Sequence, residues 1–357
     1  MSSTDTIDWF RNTAPYINTH RGTTVVVGLR AGAVAQDNFI NVVHDLALMQ
    51  SLGMRLVIVH EHTDLEDSPI SQEAMTGMLA NIASERSQIE RMFSMGLPNS
   101  PLHNAKLRVI SGNFVTARPA GVLKGVDHGA LGVVRHVDVA GITHALDGAA
   151  ICLLSAVAHS PAGDVFAVNA LELMRVVARS LAAEKLIVMS EHEGITRDDG
   201  SLIRQLTVDA ARSCMTDAVD GMDDNITLAC NSCDDGVPRV HLVSYLSDGG
   251  LIKELYTHDG VGTLISSDEY EQMVAAQSRD LAGILELIRP LQQEGVLAER
   301  SNEHVAADLD HFTVITKDSR VIACAALYPN KSDAIGEIAC VATHPDYRDS
   351  GHGERLI

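Results

Sequence analysis

The chain has 357 residues, a formal charge of −20 at pH 7 and a hydrophobic fraction of 46%. That length admits two domains, and that apolar content supports a buried core. The acidic balance excludes the basic stripe of a nucleic-acid surface and disfavours an anionic membrane, but not a phosphate held by backbone dipoles.

The opening residues, MSSTDTIDWF, have neither the basic start nor the apolar stretch of a signal peptide. The longest apolar run, Ala149–Ala158, is half a membrane span and reads as a buried strand. Six cysteines without framework spacing fit reduced thiols, so a cytoplasmic protein is expected. In chain order, strands are predicted at Thr24–Leu29, Arg55–His60, Leu107–Ser111, Ile151–Val157, Leu186–Ser190 and Arg239–Ser244. Helical patterns lie between them at Phe39–Leu52, Ile70–Met95 and Leu171–Ala183. Strands apolar on both faces and separated by helices predict an open, mainly parallel α/β sheet covered by helices on both faces. The pattern changes near the polar run SSDEY, which places a boundary at residue 270 and domains at 1–270 and 271–357. The second domain is read as a helix over Val274–Leu291, then a hairpin of Val321–Leu327 and Ile335–Ala342 joined through YPNKSDA.

Arg348-Asp349-Ser350-Gly351-His352-Gly353 follows that last strand and opens a helix. Glycines let a backbone approach a ligand, and the N–H groups of a helix start hold a pyrophosphate. Spacing of this kind also occurs in ordinary surface turns. His60 and His62, two apart with no clear third ligand, read as loop residues, and Cys230-Asn231-Ser232-Cys233 lacks a second pair. No metal is expected.

With the preceding strand and linker, IACVATHPDYRDSGHGERLI resembles the acetyl-CoA-binding motif of the GNAT acetyltransferases. Read with PYINTHRGTT, SGNFVTARP, AEKLI, GILELIRPL and IACAALYP, the chain resembles the bacterial N-acetylglutamate synthases. The resemblance implies an amino-acid-kinase-like domain that senses arginine, followed by a GNAT domain that makes N-acetyl-L-glutamate from acetyl-CoA and L-glutamate. It implies that the backbone of Cys340 and Val341 holds the thioester end of acetyl-CoA, and that Arg348, Asp349, Ser350, Gly351, His352 and Gly353 hold its pyrophosphate. Glu337 matches the general base and Arg300 an arginine that binds the substrate carboxylate; Cys340 is read as a buried structural cysteine, not a nucleophile. LIKELYTHDGVGTLI resembles the arginine-site segment, with Glu254 meeting the effector's cationic end, the Gly260 backbone beside it, and Tyr16 on a covering N-terminal helix. Asn225 stands nearest the lysine that arginine-sensitive kinases carry. A homo-oligomer, a hexamer in size, is also implied.

The family's transferase domain continues beyond the helix in which Ile357 falls, so an incomplete GNAT domain is expected here. A non-catalytic arginine-binding regulatory remnant is therefore the alternative function. Phosphoryl transfer is disfavoured, because Arg30-Ala31, His60-Glu61-His62 and Leu171 stand where the related kinases need glycines, a glycine-rich loop and an aspartate.

Overall fold

The computed structural model describes residues 3–62, 69–96, 101–197, 199–215, 221–257, 260–267, 271–317, 320–330, 335–348 and 351–357. They form two compact units, Met1–Ser267 and Asp268–Ile357. In the first, an eight-stranded sheet runs in the order Gln205–Thr207, Thr263–Ser266, Arg239–Ser244, Lys185–Ser190, Thr24–Leu29, Arg55–His60, Ile151–Ser155, Val109–Ser111. Its pairs are parallel except Arg239–Ser244 with Thr263–Ser266.

The period of two along each strand divides the core. Val26, Val57, Val59, Leu186, Val188, Val240 and Leu242 enter one hydrophobic cluster, with Leu173, Met174 and Val177 of the helix Ala170–Ser180 and Ile226 and Ala229 of Met222–Asp234. Val25, Val27, Leu29, Leu56, Ile58 and Ile187 enter the other, with Val42, Val43 and Leu46 of Phe39–Ser51 and Leu251 and Leu255 of Gly250–Tyr256. Burial on both faces is why these strands read as continuous apolar runs. The helix Gln72–Phe93 starts where the Ser71 side chain accepts from Ala74 N–H, and it buries Met75, Ile82, Ile89 and Phe93 along one seam.

Two features depart from expectation. Val115–Pro119, Leu131–Val137, Val157–His159 and Val165–Val168 close into a small four-stranded barrel, which splits the strand predicted over Ile151–Val157. Residues Val274–Leu291 are not one helix: Glu271–Ala275 is a strand, and the helix is Leu281–Gln293. The strand places Val274 opposite Val314, pairing that outweighs the local helical pattern.

The second unit is an antiparallel sheet in the order Glu271–Ala275, Phe312–Lys317, Arg320–Asn330, Ile335–Thr343. Ile284, Leu287 and Ile288 of Leu281–Gln293 pack with Val314, Cys324, Ala326, Cys340 and Ala342. The turn read in YPNKSDA falls partly on 331–334, outside the described residues.

Candidate active site and effector segment

The strand Ile335–Thr343 is exposed through Ile338 and alternately buried from Cys340 onward. Cys324 pairs with Ala342 and Ala326 with Ala339, so Cys340 and Val341 together face Ala325. Cys340 takes a left-handed backbone, φ 53°. This bulge interrupts the ladder and turns backbone groups away from the neighbouring strand. It lies in the residues expected to meet a thioester. The Cys340 side chain is buried and its carbonyl accepts from Cys324 Sγ at 3.5 Å. Burial pushes the Cys340 thiol up; Arg300 opposes this, while Asp308 and Glu337 add to it. A thiol so held is a poor nucleophile.

Glu337 is exposed and stands directly opposite Tyr328 across the strands. Arg300 precedes Ser301, whose hydroxyl accepts from His304 N–H and caps the helix Asn302–Ala307. Its guanidinium lies over the Tyr328 ring, 4.8 Å from the centroid, and donates to the Tyr328 hydroxyl at 2.9 Å. That hydroxyl donates to Asp308 Oδ2 at 3.1 Å, and His304 Nε2 lies 3.3 Å from the same oxygen. Burial pushes the phenol to about 12; Arg300 works against that and Asp308 with it. The structure thus brings Arg300, Glu337 and Cys340 around Tyr328 and Asp308, two residues that sequence reasoning did not single out. Tyr328 lies within IACAALYP, but its place opposite Glu337 depends on strand register, which no local signal carries.

The terminal loop has its turn at Arg348, which is exposed, and a short helix at His352–Leu356 after Gly351, whose backbone is left-handed at φ 73°. Asp349 and Ser350 lie outside the described residues. Among the described residues, no atom beyond their chain neighbours and their own helix lies within 4 Å of a Cβ placed on Gly351 or Gly353, so the backbone there is open to approach. The His352 ring is buried, 3.2 Å from the Tyr347 carbonyl, so its imidazole is turned into the unit and not to the surface of the loop.

In the first unit, Glu254 is buried on the helix Gly250–Tyr256. Its Oε1 lies 2.6 Å from His241 Nδ1, and its Oε2 accepts from the N–H groups of Val261 and Gly262 at 2.8 Å each. Burial raises the carboxyl, but His241 and those two N–H groups outweigh it and leave the group below its ordinary value. Burial also lowers His241, so a neutral imidazole donates to an ionised carboxylate. The Gly260 carbonyl accepts from Arg204 at 2.6 Å. Tyr16, half-buried, packs into the cluster that holds Leu251 and Leu255, and His20 Nε2 on the same helix lies 2.9 Å from the Leu255 carbonyl. Asn225 is buried in the helix Met222–Asp234.

The loops that would hold nucleotide are filled by a buried ion pair and by histidine–carboxylate contacts. Arg30 Nε meets Glu61 Oε2 at 3.1 Å with both side chains buried, and Ala31 N–H donates to the same oxygen. His60 and His62 both meet Glu85 Oε2, at 2.8 and 2.9 Å. Asn169 caps the helix Ala170–Ser180 through Glu172 N–H, and Leu171 packs on the core. Cys230 and Cys233 are buried on one helix. Among the described residues, no group of three or more His, Cys, Asp or Glu side chains is placed to hold a metal ion.

Residues 23–244 match the amino acid kinase family and residues 281–357 the acetyltransferase (GNAT) family. The chain is 38% identical to the amino-acid acetyltransferase of Azotobacter vinelandii, over 99% of this chain and 86% of that protein. This chain belongs to the bacterial amino-acid acetyltransferase family. The Escherichia coli K12 member is 40% identical over 99% of this chain and 85% of its own length. Among solved structures, N-acetylglutamate synthase from Neisseria gonorrhoeae complexed with coenzyme A and L-arginine superposes with a TM-score of 0.87. It shares 32% identity, covering 98% of this chain and 85% of that one. Its complex with coenzyme A and N-acetyl-glutamate gives a TM-score of 0.68. Family membership makes the chain an amino-acid acetyltransferase built from a kinase-like and a GNAT-type unit.

Proposed function

We propose that residues 271–357 catalyse acetyl transfer from acetyl-CoA to the amine of L-glutamate, giving N-acetyl-L-glutamate and CoA, and that residues 1–270 bind arginine as feedback inhibitor. The observation that carries the transferase reading is the bulge at Cys340–Val341, with Arg300 and Glu337 gathered beside it. Acetyl-CoA supplies an activated acetyl group; the chain supplies position and a base. The Arg300 fork takes a glutamate carboxylate by two parallel hydrogen bonds. Glu337, exposed beside that point, takes the ammonium proton directly or through water, a role worth about 10²–10⁴-fold in rate. The 340–341 backbone orients the thioester and meets the developing oxyanion. The backbone from Arg348 to Gly353 holds the pyrophosphate.

For arginine, the candidate residues are Glu254, the Gly260 backbone and Tyr16. The Glu254 carboxylate already accepts from His241 and two backbone N–H groups, so an entering guanidinium competes with those donors. Exposed Ile7 and Phe10 on the N-terminal helix Ser3–His20 support a homo-oligomer, which we take to be a hexamer; light scattering measures this. No helix among the described residues is long and apolar enough to cross a membrane, in keeping with a cytoplasmic place.

The test is CoA-thiol release from acetyl-CoA by the 357-residue chain, with and without glutamate, then with arginine added. Glutamate-dependent release suppressed by arginine is expected. Arginine binding without any release would favour the non-catalytic arginine-binding remnant.

A further inference from the structure

A cavity of about 290 Å³ lies in the first unit, away from the segment that carries Glu254. Leu79, Ile82, Ala83 and Arg86 form one wall, and Leu153, Ser155, Val157 and His159 another. The first set follows helical spacing along Gln72–Phe93, and the second takes alternate residues along Ile151–Ser155 and Val157–His159. Ser111 and Gly112, at the carboxyl end of the strand Val109–Ser111, close one side. Carboxyl ends of parallel strands are where open α/β sheets take ligands.

Of the polar lining groups, Ser155 and Arg86 are the loosely held ones, whereas Ser111 is committed to Glu90. The Ser155 hydroxyl oxygen is buried without a hydrogen-bond partner among the described residues. Arg86 Nε lies 3.9 Å from Glu90 Oε1, at the outer limit of an ion pair, and that oxygen already accepts from the Ser111 hydroxyl at 2.8 Å. Leaving a buried hydroxyl unsatisfied is costly, so a ligand atom that meets it gains affinity. Leu79 and Arg86 stand two helical turns apart, about 10 Å. The Arg86 cation, the unpartnered Ser155 hydroxyl and the apolar side chains of Leu79, Ile82, Leu153 and Val157 over that length select an anion at one end and hydrocarbon at the other. We propose that this cavity binds a small organic monocarboxylate, its carboxylate on Arg86 and Ser155 and its aliphatic body between Leu79, Ile82, Leu153 and Val157.

The probe is hexanoate, with hexanamide as its uncharged counterpart and chloride as the ionic control. Thermal unfolding of the 357-residue chain is followed as each is added. A saturable rise of about 2–4 °C at tenfold the dissociation constant is expected for hexanoate alone. Arg86 is a surface helix residue whose side chain is 45% exposed, so Arg86→Gln folds, and its hexanoate affinity is expected to drop about tenfold or more. Ser155→Ala checks the hydroxyl independently, with a smaller loss. No saturable rise, an equal rise with hexanamide, or an unchanged titration in Arg86→Gln overturns the proposal.

Discussion

The Tyr328 hydroxyl donates to Asp308 and accepts from Arg300, so it holds the guanidinium at a fixed place beside Glu337. In the proposed mechanism Arg300 is a substrate contact whose direction depends on two neighbours. A hydrogen bond to a charged group is worth about 1.5–3 kcal/mol. Tyr328→Phe is therefore expected to raise KM for glutamate about tenfold while KM for acetyl-CoA stays near the parent's, and steady-state kinetics with each substrate varied in turn separates the two. Equal effects on both KM values would mean that Tyr328 supports the sheet and not Arg300. For Glu337→Gln, kcat is expected to fall about 10²–10⁴-fold with CoA affinity kept, because only proton removal is lost. Glu337 is exposed, so this variant folds normally, and turnover at the parent rate would remove it from the mechanism.

At the scale of elements, the helix Gly250–Tyr256 carries Glu254 and is held from both sides. Asp45, on Phe39–Ser51, accepts from the N–H groups of Ile252 and Leu251, yet burial pushes its carboxyl up to about 6, with Asp248 adding to the rise. Because the folded value exceeds the unfolded 3.8, the native state holds a proton there that the unfolded chain has lost. This contribution is full below about pH 4 and disappears as pH rises through about 6. Asp45→Asn stays neutral throughout and still accepts from the N–H groups. Its stability relative to the parent is expected to grow from near zero at pH 4 to about 1–2 kcal/mol above pH 6.5, discounted for partial exposure. Denaturant titrations at several pH values measure it, and a difference independent of pH refutes the assignment. Just after that helix, a Cβ on Gly262 would lie 2.2 Å from the Leu242 carbonyl. Gly262→Ala must shift the turn whose N–H meets Glu254. It is expected to cost about 1–3 kcal/mol and to weaken any arginine response, both read by calorimetry.

At the scale of the whole molecule, the first unit has the kinase sheet with its phosphate-facing loops closed by buried charge. Arg30 and Glu61 neutralise each other there, and Glu85 holds His60 and His62. Glu61→Gln removes the carboxylate charge that the buried Arg30 guanidinium meets, and a loss of about 1.5–3 kcal/mol is expected. ATP is expected neither to be hydrolysed nor to raise the unfolding midpoint. A millimolar-range nucleotide titration that raised it would show that those loops still open.

Much of this architecture was legible in the chain. The bounds Thr24–Leu29, Arg55–His60 and Arg239–Ser244 follow from strands buried on both faces, whose apolar runs need no knowledge of partners. Arg300, Glu337 and the glycine loop were marked by resemblance, since local motifs survive in local sequence. The small barrel, the strand Glu271–Ala275 and the strand Phe312–Lys317 were not legible, because short antiparallel strands owe their form to neighbours far along the chain. The same reason hid Tyr328 and Asp308, the left-handed Cys340 and the His241 beneath Glu254. Residue type and order decide which segments bury themselves and which loops stay open. Register and packing decide which side chains meet, because a hydrogen bond of 3 Å is set by the whole fold and a hydrophobic run by its own few residues.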